Sequence, residues 1–247
     1  MSTVLSIAGT EARRIFVSPL AWAVLAVLQG IVGFVFLSLL LEYAANPAGA
    51  GQFTGMADYI GGNLFGFATI LLLLIMPLLT MRLFAEERKT GSLVLLLSSP
   101  ASLIEIVLGK FLGLGAFMLA ALALMALMPL TLLVGTPLDL GRIASGLLGL
   151  GLLMSAFGAA GLFVSTLTRE PTIAAVLSFG LLLVIWLLQI IGNQPGAIGQ
   201  LFTYLSLIGH FDNLRRGIFN SADVAYYLLF TALFLWLAVL RLDSERA

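Results

Sequence analysis

The stretch Met81 to Lys110, MRLFAEERKTGSLVLLLSSPASLIEIVLGK, is the only dense polar patch in a chain that is otherwise apolar. Arg82, Glu86, Glu87, Arg88, Lys89, Glu105 and Lys110 fall within it, and long apolar stretches lie on both sides. The run Glu86-Glu87-Arg88-Lys89 offers ionic docking chemistry: carboxylates and cations that exchange water for a partner's charges. A turn at Thr90-Gly91 follows, then the apolar run Leu93 to Leu97. Ser99-Pro100 and Ser102-x-x-Glu105 are two helix starts, the second a capping box in which each side chain satisfies a free backbone N–H. A structured elbow of this kind, between two membrane helices, is a natural place for a soluble partner to push. The plainer alternative is a solvated juxtamembrane cluster in which Glu86 and Lys89 pair at helical spacing.

Other chemistries lack their residues. The chain has no cysteine and one histidine, which removes disulfides, thiolate ligands and any multi-histidine metal site. Neither lysine, Lys89 or Lys110, lies in a G-x-x-x-x-G-K-[ST] loop, so ATP is not bound here in the usual phosphate-cradling way. No charged residue falls near the centre of an apolar span, where proton relays and ion-coupled transporters usually keep one. Asn46-Pro47-Ala48 is a solitary motif in a loop, and His210 reads as a surface or interfacial side chain of another loop rather than a catalytic one.

The elements that must position the elbow are membrane helices. Hydrophobic residues make up 61% of the chain and charged ones 10%, with a mean hydropathy of +1.12. A soluble domain carries about 25% charged residues. A net charge of zero argues against nucleic acid as a partner and against a polybasic lipid anchor. The spacing predicts a single transmembrane domain over 1–247, with spans at about 17–41, 64–81, 111–134, 143–167, 172–191 and 224–240. Before them, Val4, Leu5, Ala8, Ala12 and Ile15 share one face of an amphipathic segment suited to the membrane interface. Ser18-Pro19 supplies a cap for the first span, and Pro77 a candidate kink in the second. Small residues crowd the fourth span, where Ser145-x-x-x-Gly149 and Gly151-x-x-x-Ser155-x-x-x-Ala159 suit either bundle packing or a sliding or dimer-facing surface. Ala197 to Ile208 is apolar but too short to span, and Asp212 can pair with Arg215 or Arg216.

Charge sets the orientation. With the amino terminus inside, Arg13, Arg14, Arg82, Arg88, Lys89, Lys110, Arg169, Arg241 and Arg246 are cytoplasmic, and only Arg142, Arg215 and Arg216 lie outside. Six spans then put both termini in the cytoplasm of a multi-pass inner (plasma) membrane protein.

Glu86-Glu87-Arg88-Lys89-Thr90-Gly91-Ser92-Leu93, the leucine-rich run to Ser99-Pro100, and Glu105 to Gly109-Lys110 resemble the cytoplasmic elbow of ABC-2 type transporter permeases, the membrane subunits of ATP-binding-cassette exporters. Gly209-His210-Phe211, Arg216-Gly217-Ile218 and Asp223-Val224-Ala225-Tyr226-Tyr227 look like the outer loop of the family's gliding-motility and copper-maturation branch. The resemblance implies an all-α integral membrane fold: an amino-terminal interfacial helix, six transmembrane helices, a coupling elbow between spans two and three, and short outer helices between spans five and six. It implies two copies of a separate ATP-binding-cassette ATPase, which binds the ATP and Mg. It also implies a second permease copy or a related one, and in this branch an auxiliary membrane protein with a large outer domain can accompany them. Glu86, Glu87, Arg88, Thr90 and Gly91 match the family's ATPase-coupling positions. Three functions stay open on these grounds: an export permease in the lipid bilayer, a subunit that transmits mechanical work across it, and a stand-alone channel or scaffold with no ATPase.

Overall fold

The computed structural model describes residues 3–46, 55–132, 139–192 and 196–246. Pro47-Ala48 of the solitary loop motif, and most of the turn before the fourth span, lie outside the described residues. Within them, all regular structure is helical. The order is α1 (Thr3–Val17), α2 (Pro19–Ala45), α3 (Met56–Thr80), α4 (Ala85–Thr90), α5 (Ser92–Leu97), α6 (Leu103–Thr131), α7 (Leu140–Leu167), α8 (Pro171–Gly192), α9 (Ala197–Leu205), α10 (Leu207–Arg215) and α11 (Ser221–Arg246). Six candidate membrane spans are long and apolar enough to cross a bilayer; they fall on α2, α3, α6, α7, α8 and α11.

Side-chain caps start α6, α7 and α10, whereas α2, α3, α4, α5 and α9 begin without one. The capping box forms: the Ser102 hydroxyl accepts from the Glu105 N–H at 3.2 Å, and the Ser102 N–H donates to Glu105 Oε2 at 2.9 Å. It starts α6 at Leu103 rather than near Phe111, so Ser99-Pro100 is left in the connecting turn. Asp139 caps α7 through the Arg142 N–H at 3.2 Å. Ser18 occupies the cap position of α2 before Pro19, but its hydroxyl makes no cap hydrogen bond. Several helices overrun the apolar spans; α3 begins at Met56 and α11 reaches Arg246. Hydrocarbon thickness limits the apolar run, whereas the backbone ladder continues as long as polar side chains can leave the bilayer.

The bundle is built around α7, which packs against α3, α6, α8, α10 and α11. Two-thirds of the most apolar window of α7 is buried (67%), as is that of the span containing α3, against 22% for α2 and 17% for α8. The small residues of α7 are what admits its neighbours. A Cβ on Gly158 would collide with Met118 and Leu114, and one on Gly161 with Thr80, while Gly149 faces Phe211 and Leu214. Bundle packing therefore accounts for Gly149 of the two stripes and for Gly158 and Gly161 beside them, whereas Gly151 makes only an ordinary contact with Leu122. Large apolar side chains such as Phe34, Val184 and Leu229 are exposed on the outer faces of α2, α8 and α11, where hydrocarbon solvates them.

Helix α1 lies across the base of α6. Gly109 and Gly113 present bare backbone to it, with Ile7 and Glu11 seated where their side chains would be. The buried face is rotated from the one expected: Leu5 is 55% exposed, while Glu11 is turned inward and 5% exposed. The two glycines fix the line of closest approach, and an ionic partner on α6 allows the carboxylate to enter. At the opposite end of the bundle, the short apolar run is two helices rather than one. Ser206 splits it, its hydroxyl accepting from the Gly209 N–H at 3.2 Å to cap α10.

Candidate functional site

The elbow consists of α4 and α5, joined at Gly91. That residue has φ 76°, a left-handed conformation that only glycine adopts without strain, and so one helix ends and the next begins at a single residue. Thr90 stiffens the joint; its hydroxyl donates to the Glu86 carbonyl at 3.0 Å and lies 2.9 Å from the Ser92 hydroxyl.

The charged residues of α4 reach four different elements. Glu86 Oε2 accepts from Arg14 Nη2 of α1 at 2.9 Å. Glu87 Oε1 accepts from Lys110 Nζ of α6 at 2.6 Å and lies 3.4 Å from Arg14 Nη1. Arg88 donates to Glu245 of α11 at 2.8 Å, and Lys89 to Glu170 at the entrance of α8 at 2.7 Å. The Glu86–Lys89 pair allowed by helical spacing does not form; both side chains have partners outside α4.

Lys110 is the deepest member of the network, only 2% exposed. An ammonium has three donors, and here each direction is answered: Glu11 Oε1 at 2.8 Å, Glu87 Oε1 at 2.6 Å, and the ring of Phe84 with its centroid at 5.1 Å. Burying a lone cation would cost several kcal/mol, so the two carboxylates are what make this position tenable. Arg14, 3.6 Å from Glu11, closes the cluster from the solvent side. Glu11, Arg14, Glu170 and Glu245 are partners that the sequence did not single out. Only the i,i+3 spacing of Glu11 and Arg14 and the i,i+4 spacing of Arg241 and Glu245 signal any of them, because the other contacts join residues remote in the chain. Beyond Ser92, α5 exposes two apolar side chains: Val94 is 69% and Leu95 75% exposed, while Leu93 between them and α4 is buried.

A second polar cluster occupies the opposite end, where His210 is buried rather than at the surface. Its Nδ1 lies 2.6 Å from Asp223 Oδ1 and its Nε2 2.9 Å from the Tyr204 carbonyl, and its ring stacks on Tyr226 at 4.2 Å. Asn213 donates to the other Asp223 oxygen at 3.1 Å, and the Tyr227 hydroxyl to the Leu207 carbonyl at 2.6 Å. The cluster fastens α10 to the start of α11. Nearby, Arg215 pairs with Asp212 at 2.9 Å and donates to the Gly62 carbonyl at 2.9 Å, and Arg142 pairs with Asp58 at 2.5 Å. Among the described residues, no group of three or more His, Cys, Asp or Glu side chains is arranged to hold a metal.

Six apolar helices of membrane length and an ionic elbow at one end define an all-α, multi-pass membrane protein. The match to a known family is close to complete in length: residues 5–246 fit the family described as ABC-2 family transporter protein, and the chain belongs to it. Proteins of this family are membrane components without a nucleotide-binding domain of their own, and membership implies an ATP-binding-cassette ATPase as partner. No curated protein sequence matches the chain.

Proposed function

We propose that this chain is the permease subunit that couples ATP hydrolysis by a separate ATP-binding-cassette ATPase to export, or to mechanical work, across the inner membrane. ATP and Mg would be held by two ATPase copies, and the particle would contain a second permease, identical or related. Positive charge concentrated at the elbow end favours a cytoplasmic elbow and cytoplasmic termini. The resemblance of the Gly209-His210-Phe211 and Asp223 to Tyr227 segments supports the gliding-motility and copper-maturation branch, in which an auxiliary outer-domain protein can accompany the permease. The observation that carries the coupling role is the division of labour in the elbow. Glu86, Glu87 and Arg88 tie α4 to α1, α6 and α11, Thr90 and Gly91 set the angle of α5, and Val94 and Leu95 project as an apolar knob. A partner that seats the knob moves the elbow as a unit, and the ion pairs pass that movement to three helices at once.

The test separates contact from transmission. Replacing Val94 and Leu95 together with Asp should abolish stimulation of the partner ATPase and its copurification, while the fold stays intact because both side chains are exposed. Reversing Glu86 and Glu87 to Lys breaks internal pairs as well; it should uncouple hydrolysis even where some ATPase still binds. Reversal of Asp212, at the other end, should leave ATPase binding unchanged. Full coupling in the Val94→Asp, Leu95→Asp variant would remove the knob from the mechanism.

A further inference from the structure

A cleft of about 210 Å³ opens beside the elbow, between α1, the first turn of α2 and the last turn of α3. Its lining combines apolar residues, Ile15, Leu20, Leu78 and Leu79 among them, with the charged Arg14, Arg82, Glu11 and Glu86. Three of those four charges are already matched: Glu11 by Lys110, and Glu86 and Arg14 by one another. Arg82 is exposed and makes no ion pair among the described residues. The cleft also contains Ser18, whose hydroxyl makes no cap hydrogen bond and is left free to donate. The site thus joins one unmatched guanidinium and a spare hydroxyl to a leucine-lined recess at the depth where the apolar spans give way to charge.

We infer that this cleft binds a phospholipid of the leaflet at the elbow end, with the phosphate on Arg82 and Ser18 and the start of an acyl chain against Leu78 and Leu79. Guanidinium groups match phosphate oxygens in a bidentate geometry, and basic recesses between membrane helices hold anionic head groups. A free phosphate would satisfy Arg82 but leave the apolar walls bare, and so the lipid is the occupant that uses the whole site. Because the cleft touches α1, α2, α3 and Glu86 of the elbow, a bound lipid would brace the amino-terminal helix against the charged network. The inference does not depend on the ATPase partner.

Native mass spectrometry of the full chain in mild detergent tests it, with phosphatidylglycerol, diacylglycerol of the same chains, and inorganic phosphate as probes. Phosphatidylglycerol should show one binding event per chain that is tighter than the rest, raising the thermal unfolding midpoint, whereas diacylglycerol and phosphate should not. Arg82→Ala should weaken that event roughly tenfold, about the effect of losing one charge-assisted contact. Leu20→Trp, which fills the recess and leaves Arg82 in place, should weaken it similarly. Arg169→Ala, at an exposed turn on the same end, should change it by less than about twofold. Equal binding to wild type and Arg82→Ala would overturn the proposal, as would equal binding of diacylglycerol or displacement of the lipid by millimolar phosphate.

Discussion

Lys110 decides the stability of the elbow end. Its ammonium is shared between Glu11 and Glu87, and Arg14 sits within reach of both carboxylates. Removing one partner from such a cluster strands the others in a poorly solvated site, at a cost of about 3–5 kcal/mol. Lys110→Met should therefore lower the unfolding midpoint of the detergent-solubilised chain markedly. Adding Glu11→Gln and Glu87→Gln should recover part of the loss, because the stranded charges go with it. A Lys110→Met variant as stable as wild type would show the pairs contribute nothing. The exposed Lys89–Glu170 pair is different; both side chains are about half exposed, and Lys89→Ala should cost no more than about 1 kcal/mol.

At the scale of elements, two joints repay comparison. The first is α1 on α6, where Gly109 and Gly113 set the separation. A side chain on Gly113 would meet Glu11 Cβ at 2.6 Å and the Ala8 carbonyl at 3.0 Å, and a backbone atom cannot step aside as a flexible side chain can. Gly113→Val should lift α1 away and break the Glu11–Lys110 contact. Hydrogen exchange in α1 should rise in the Val variant and stay at the wild-type level in a Gly115→Ala control, whose Cβ would meet nothing within 4 Å. The second joint is α10 on α11. His210→Ala removes the partner of one Asp223 oxygen and leaves that buried atom unsatisfied, which costs about 1–3 kcal/mol. Proteolysis or hydrogen exchange should register the change first in α9 and α10, with little effect at the elbow.

The whole molecule is organised as two polar ends separated by an apolar bundle. At the elbow end, the charges of α4 bring α1, α6, α8 and α11 to one place; at the other, α10 gathers α3, α7 and α11 through Arg215, Leu214 and His210. A displacement at one end reaches the other only through the helices themselves, above all α7, which touches most of them. Orientation is testable without background labelling. Lys89→Cys should be shielded from an impermeant outer thiol reagent in intact cells, and Asn220→Cys should react. The reverse pattern would invert the protein in the membrane.

The sequence by itself determined how many helices cross the membrane, where the elbow interrupts them, and, through its capping box, where α6 begins. Those features follow from local rules: about 20 apolar residues satisfy both hydrocarbon thickness and their own backbone hydrogen bonds, and a capping box acts over three residues. The elbow residues Glu86, Glu87, Arg88, Thr90 and Gly91 were legible as a cluster for the same reason. Their partners were not. Glu11 meets Lys110 across 99 positions of sequence, Arg88 meets Glu245 across 157, and nothing near any of these residues encodes the meeting. The inward turn of His210 was equally hidden, because its carboxylate partner belongs to the next helix. The faces of the spans were hidden too. A helix that is apolar all round carries no internal mark of which side meets lipid and which meets protein. Only packing decides that, through the glycines that admit a neighbour and the few charges that must find one another away from water.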